Sequence, residues 1–267
     1  MLWTDLHSHI LPGFDDGAAD DWRFLEMAQV AVKGGTGRMA ATPHYDMEKP
    51  AFEPQDVVAA VERYNDLLNI QGLSLVLVPG VEIRINTGLY HMAKDEGSLE
   101  AFVLGGKGKY VLMDLPLGNL PVPTPDILFQ VQLCGVVPIL AHPERNRYLV
   151  EHPSTLNELI ERGVEIQVNS GSLEGIYGKS ARRMARRLLK EGVARLVASD
   201  AHSPYNRSPD LSGAVKILCS ILGKEAPRLL LQENPDRVLA GESIIDVVES
   251  SARSSKKGRF RSRKKTR

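Results

Sequence analysis

Short apolar runs alternate with amphipathic stretches from one end of the chain to the other. This alternation restricts the fold more than any other feature. Residues 2–6, 38–41, 73–81, 110–115, 136–141, 164–168 and 194–198 are apolar runs of strand length. Residues 20–33, 54–69, 126–133, 154–162, 180–190, 211–221 and 226–231 lie between or after them and carry apolar residues at helical spacing. Trp22, Leu25, Ala28 and Val32 mark the first helix, and Gly34-Gly35 ends it. Strand–helix alternation predicts a parallel sheet with helices outside, because a parallel connection must cross back over the sheet. A barrel is the simplest such arrangement. An open doubly wound sheet is the alternative, and it fits less well because no glycine-rich phosphate-binding turn follows the first strand. No linker or repeat interrupts residues 1–250, so they are read as one domain.

Composition separates that domain from the last seventeen residues. The 267 residues carry 33 Lys+Arg and 33 Asp+Glu, a net charge of zero. The zero is a sum of unlike parts. Residues 251–267 (SARSSKKGRFRSRKKTR) contain nine basic residues and no acid, so residues 1–250 are net minus nine. The tail has too little apolar surface to offset the entropy of ordering, and it is expected to be disordered and to serve docking rather than chemistry. An acidic protein, an anionic lipid or a nucleic acid are the partners its charge suits. Cys134 and Cys219 lie in apolar surroundings and read as buried, reduced thiols of a cytoplasmic protein rather than a disulfide framework. No apolar run is long enough to span a membrane, and MLWTDLHSHI does not read as a signal peptide.

Five of the seven histidines follow predicted strands. His7 and His9 follow 2–6, His44 follows 38–41, His142 follows 136–141, and His202 follows 194–198. In a parallel barrel the carboxyl ends of all strands open on one face, so residues far apart in sequence converge there. Acids occupy equivalent places: Asp15 or Asp16 after the first strand, Glu82 after 73–81, Asp114 near the end of 110–115, and Asp200 just before His202. Imidazole and carboxylate together suit zinc, manganese or iron, and no cysteine competes. His91 and His152 fall in helical stretches and are read as surface residues.

The fragments HSHILPGFDDG, ATPHY, VPGVEI, AHPER, QVNS and SDAH followed by Arg207 resemble the PHP (polymerase and histidinol phosphatase) superfamily. Within it they are most similar to the capsular and exopolysaccharide tyrosine-phosphatase branch (CpsB/YwqE-like), over residues 1 to about 245. The resemblance implies an α/β fold, a distorted (β/α)7 TIM-like barrel. It also implies two or three divalent ions, manganese first, with iron, zinc or cobalt as alternatives. By position, His7, His9, Glu82 and Asp200 would hold one ion, and Glu82, Asp114 and His142 a second. Asp16, His44 and His202 would hold a third. Asp114 stands where the branch usually has glutamate, one methylene longer.

The same resemblance implies hydrolysis of phosphotyrosine on an autophosphorylated bacterial tyrosine kinase that controls polysaccharide export. Arg145, three residues past His142, and Arg207, five past His202, are placed to fork onto a phosphate. His44 is a candidate proton donor, and Asn169 a candidate substrate-binding residue or partner of a histidine. No C-x5-R signature of a thiolate phosphatase is present: no arginine follows Cys134 at that spacing. The rival readings are a small-molecule phosphatase such as one for histidinol phosphate, a nuclease on the same site, and a binding module with a relic centre. A nuclease would want a basic groove, which the acidic body does not suggest. A relic would lack ligands, and here they are present.

Overall fold

The computed structural model describes residues 2–95, 98–121 and 123–246. The basic tail, 251–267, lies outside the described residues. Nine strands are present among the described residues: β1 (Trp3–Asp5), β2 (Thr36–Ala41), β3 (His44–Tyr45), β4 (Val76–Pro79), β5 (Glu82–Arg84), β6 (Tyr110–Asp114), β7 (Val137–Ala141), β8 (Glu165–Asn169) and β9 (Ala194–Ala198). Their pairs are parallel, in the orders β1-β2-β4 and β3-β5-β6-β7-β8-β9.

The two sheets are parts of one wall. β3 continues β2 after Thr42-Pro43, and β5 continues β4 after Gly80-Val81, so the nine strands make seven staves. Pro43 has no N–H for the ladder, but its carbonyl accepts from Glu82 N at 3.0 Å, which carries the pairing across the break. At Gly80 an added Cβ would lie 2.8 Å from Leu104 Cδ2, so the neighbouring layer leaves no room for a side chain. The ring closes between the first and last staves. Ser8 bridges Ala201, His9 N donates to Ala201 O at 2.8 Å, and Asp200 N donates to His7 O at 2.9 Å. The expected seven-stranded barrel is therefore the observed architecture, with one correction. Residues 73–81 are not a continuous strand: pairing starts at Val76 and breaks at Gly80.

Strand period two explains how the wall carries a site. In β6, Tyr110 and Leu112 join an inner cluster with Ile139, Ala141 and Leu196, while Val111 and Met113 face the helices. The inward stripe of β6 ends in Asp114, and the stripe of β9 runs from Leu196 through Ala198 to Asp200. In β8, Ile166 and Val168 face the helices, which leaves Gln167 and Asn169 on the inner side. Apolar residues thus fill the barrel's base and polar ones its carboxyl mouth.

The helices form the outer layer at the expected places. Helix Asp21–Lys33 starts at Asp20, whose side chain accepts from Arg23 N at 2.8 Å. It buries Phe24, Met27, Ala28 and Ala31. Residues 226–231 are the start of a longer run: Ala226–Arg228, a wide π turn over Leu229–Glu233, then Asn234–Leu239. Pro235 brings no N–H to that ladder. The two cysteines are free and half-buried rather than fully buried. Among the described residues no helix is long and apolar enough to cross a membrane.

Candidate active site

The loop after β1 is built around one close approach. A Cβ on Gly17 would lie 1.9 Å from the carbonyl oxygen of His9, so only glycine lets the chain fold back over that residue. Ala18 N then donates to His9 O at 3.1 Å. Gly17→Ala is expected to destabilise the protein by about 3 kcal/mol, the range of a steric clash in a packed backbone. Thermal unfolding should show the midpoint falling by roughly 6–12 °C for a domain of this size. An unchanged midpoint would mean that the loop does not fold back over His9.

That turn separates the two aspartates that the sequence left open. Asp15 faces inward: its Oδ2 accepts from His9 Nδ1 at 2.5 Å and from His44 N at 2.9 Å, and its Oδ1 from Gly17 N at 3.0 Å. These bonds and the His9 charge outweigh burial and bring its pKa down to about 2. Asp16 points to the open side, with Oδ1 3.4 Å from His202 Nε2 and 3.6 Å from His44 Nε2. Asp15 orients His9, and Asp16 is free to meet a cation.

The remaining acids and imidazoles converge on the mouth. His7 Nε2 and His9 Nε2 lie 3.1 Å apart. Both reach Glu82 (3.3 and 3.4 Å) and Asp200 Oδ1 (3.5 Å each). His142 Nε2 lies 3.1 Å from Glu82 Oε1 and 3.9 Å from Asp114 Oδ1. His44 Nδ1 lies 2.7 Å from Glu82 Oε2. Four overlapping groups have ligand atoms close enough to share an ion: His9, Asp16, His44 and His202; His7, Glu82 and His142; His7, His9 and Asp200; and His44, Glu82 and Asp114. All nine residues expected as ligands are in these groups. His91 and His152 are not: both are exposed, and His152 stacks on Tyr148.

The donor set fits divalent cations. Asp114 Oδ1 and His202 Nε2 are buried and have no hydrogen-bond partner, only the longer contacts above. Burial and the adjacent Glu82 charge raise Asp114 to about 6. Burial should lower His142, but the Glu82 hydrogen bond and the charges of Asp200 and Asp114 push it up to about 9. His9, against its own burial, is raised by Asp15, Asp200 and Glu82. The enclosed carboxylates therefore draw positive charge onto His9 and His142, while burial and the neighbouring His9 charge push His202 down to about 2. A divalent cation supplies that charge and leaves the rings neutral, which is the form that ligates.

Backbone geometry reinforces the site. Among the described residues the only non-glycine positions with positive φ are His142 (35°), Asp200 (55°) and Arg207 (54°). Such conformations are held by surrounding structure and cluster at functional sites.

Arg145 and Arg207 both reach the mouth, and both bind Asp200. Arg145 Nη1 donates to Asp200 Oδ2 at 2.5 Å, and Arg207 Nη2 to Oδ1 at 2.8 Å. Arg145 also lies over the Tyr177 ring, 4.1 Å from its centre. Asn169 lies at the base of the mouth. It is fully buried, its Nδ2 donates to Asp200 Oδ2 at 2.6 Å, and its Oδ1 accepts from Gln167 Nε2 at 2.9 Å. Its place is to fix Asp200. Residues 116–121 are pinned beside the mouth, with Asn146 Nδ2 donating to Pro116 O and Asn119 O.

Sequence reasoning missed four supporting residues. Gln167 Oε1 accepts from His7 Nδ1 at 3.0 Å and so selects its tautomer. Asp5 Oδ1 accepts from Ser199 N and His7 N, joining the first and last staves. Glu144 Oε1 accepts from Asn169 N. Tyr177 supports Arg145. The available signal was a polar or acidic residue inside an apolar strand run, as at Asp5 and Gln167.

The comparisons with known proteins agree with this geometry. The family model for capsular polysaccharide synthesis proteins, CpsB/CapC, matches residues 3–240. The chain is 36% identical over 241 residues to the tyrosine-protein phosphatase YwqE of Bacillus subtilis, covering 90% of this chain and 93% of that one. It is 26% identical over 249 residues to the tyrosine-protein phosphatase CpsB of Streptococcus agalactiae, covering 90% and 99%. A solved structure from work on YwqE of Bacillus subtilis and CpsB of Streptococcus pneumoniae, described as metal-dependent tyrosine phosphatases, superposes with a TM-score of 0.82 at 34% identity, covering 91% of this chain and 96% of that one. The β-aspartyl dipeptidase of Fervidobacterium islandicum shares the fold alone, with a TM-score of 0.52 at 15% identity and coverage of 88% and 72%. With a family model spanning nearly the whole described barrel and a relative above one-third identity, this chain belongs to the CpsB/CapC family of capsular polysaccharide synthesis proteins.

Proposed function

We propose that the chain is a metal-dependent protein-tyrosine phosphatase, acting on phosphotyrosine of a bacterial tyrosine kinase in capsule or exopolysaccharide synthesis. The observation that carries this reading is the convergence of nine imidazole and carboxylate side chains at one barrel mouth, with two arginines beside them. Its relatives YwqE and CpsB are named tyrosine-protein phosphatases, which supports the same activity here.

His7, His9, Glu82 and Asp200 would hold one divalent ion, Glu82, Asp114 and His142 a second, and Asp16, His44 and His202 a third, manganese being the first choice. Bound ions of this kind bring water's pKa down toward ~7 and neutralise phosphate charge. Asp15 and Gln167 keep Nε2 of His9 and His7 facing the centre by engaging the other ring nitrogen. Arg145 and Arg207 exchange their Asp200 contacts for the phosphate oxygens and orient the phosphoryl group. The Tyr177 ring, stacked on the Arg145 guanidinium, limits how far that side chain can swing. His44 is the most exposed of the five imidazoles; it could pass a proton to the leaving phenolate only where it does not hold the third ion, because one ring cannot both ligate through Nε2 and donate while its Nδ1 engages Glu82. With a leaving-group pKa of ~10, phenolate needs little such help.

Metal analysis, with turnover on a phosphotyrosine peptide and on histidinol phosphate side by side, tests the reading. The peptide should be the better substrate by kcat/KM. A preference for histidinol phosphate, or no turnover of the peptide with manganese, iron, zinc or cobalt supplied, would overturn it.

A further inference from the structure

The mouth is not the only concentration of charge on this molecule. Helix Gly178–Lys190 buries Ala181, Met184, Ala185, Leu188 and Leu189 against the barrel. Its other face carries Lys179, Arg182, Arg183, Arg186, Arg187 and Lys190, which together with Glu191 at the helix end form an open surface. These positions recur every three or four residues and form a single stripe. Among the described residues, only Arg187 of these six meets an acid, Glu191 at 3.8 Å. Among the described residues Lys179, Arg182, Arg183, Arg186 and Lys190 form no ion pair, and Arg186 Nε is buried with no hydrogen-bond partner. Like charges at this spacing each cost a helix about 0.2–0.5 kcal/mol, so stability does not explain the stripe.

Its position does point to a use. The helix follows Tyr177, whose ring supports Arg145 at the mouth. Its far end leads into the amino end of β9, at the opposite end of the barrel. The stripe therefore runs from the site down the outer wall for about 20 Å, at 1.5 Å per residue. A peptide extended at ~3.3 Å per residue would cover that length in about six residues. Residues 1–250 are net minus nine and the whole chain is neutral, so the long-range field of the barrel itself does not draw this face to a membrane surface or a nucleic acid. A flexible acidic segment needs only the local field, within the Debye length of ~8 Å.

We propose that the exposed face of helix Gly178–Lys190 docks an acidic polypeptide segment adjoining the phosphotyrosine of a protein substrate, with its acids about three to six residues from the phosphorylated position. The inference rests on the phosphatase reading above, and it adds to that reading the sequence context that the substrate must have.

The test uses the full chain and the triple variant Arg182→Glu, Arg183→Glu, Arg187→Glu, all at surface positions outside the catalytic machinery. Two phosphotyrosine peptides are compared, identical except for glutamates or glutamines at those positions. Fluorescence anisotropy should show the native chain binding the acidic peptide about tenfold more tightly at low salt, the sum expected of a few exposed charge pairs. The preference should fall at least threefold in the variant, the basic tail being the same in both chains, and vanish at high salt, and kcat/KM should follow it. Turnover of p-nitrophenyl phosphate should be equal in both chains. Equal binding of the two peptides by the native chain would overturn the docking proposal even if p-nitrophenyl phosphate is turned over. Sedimentation with phosphatidylserine vesicles, lost in the variant with no peptide preference, would overturn it in favour of a membrane. Failure of the native chain to hydrolyse p-nitrophenyl phosphate or either peptide would instead strike at the phosphatase reading, and anisotropy would still judge the surface.

Discussion

Replacing His142 by alanine is expected to lower phosphotyrosine turnover by about a thousandfold, a loss of ~4 kcal/mol of transition-state stabilisation. Among the described residues its side chain is the only imidazole within 4 Å of both Glu82 and Asp114, and it stands between them. Without it, the two buried carboxylates share only His44, whose Nδ1 lies 2.7 Å from Glu82 Oε2 but makes no contact within 4 Å with Asp114. Glu82 Oε1 then keeps only the longer His7 contact at 3.3 Å. The backbone at residue 142 lies in the left-handed region, which asparagine tolerates better than most residues. His142→Asn therefore serves as the companion variant: it should fold at least as well as His142→Ala and be comparably inactive. Steady-state turnover, with circular dichroism to verify folding, reads both. Activity within tenfold of the native chain in either folded variant would remove His142 from the centre.

Stripping divalent ions with a chelator should abolish turnover and lower the unfolding midpoint by about 5–10 °C, and manganese should restore both. The stability effect follows from linkage. A ligand that binds only the native state stabilises it by about 2.7 kcal/mol at a hundred times its dissociation constant. For a domain of this size each kcal/mol moves the midpoint by roughly 2–4 °C. The buried carboxylates give the effect its sign. Histidine charges hold Asp200 and Glu82 well below the ordinary carboxylate range despite burial, and Asp114 is raised to about 6. Cations bound among these groups offset a repulsion that unfolding would otherwise relieve. Calorimetry with and without chelator is the measurement. A midpoint that ignores chelator, together with undiminished turnover, would mean that these side chains do not work through metal.

Much of the barrel was readable in advance, for a local reason. Each stave is an apolar run short enough to be a strand, and each helix shows a three- and four-residue apolar spacing that survives without knowledge of its neighbours. The seven predicted runs match the seven staves. The misreading at 73–81 came from a non-local cause, because which of these residues are strand is decided by pairing with the neighbouring strand, which starts at Val76 and lapses at Gly80-Val81. The centre was legible for a related reason. A strand-end histidine or acid in a parallel barrel has one place to go, so His7, His44, Glu82, His142 and Asp200 could be gathered without coordinates.

Partner choice was not legible. Asp15 and Asp16 are adjacent and chemically identical. Only the fold of the chain over His9, made possible by Gly17, turns one toward the imidazole and the other toward the opening. Asn169 read as either a substrate contact or a partner of a histidine, and sequence could not tell that its amide bonds Asp200 and Gln167. The two arginines were placed at the site by spacing alone, yet their shared grip on Asp200 needs β7, β8 and β9 side by side. The order of residues thus determined the class of fold, the face on which chemistry collects and the kinds of group found there, because periodicity and strand direction are properties of the chain. Tertiary structure decided which carboxylate orients and which is left to bind, and which helix face points away from the barrel beside the mouth. Those outcomes depend on distances of a few ångströms between segments far apart along the chain, and no local pattern encodes them.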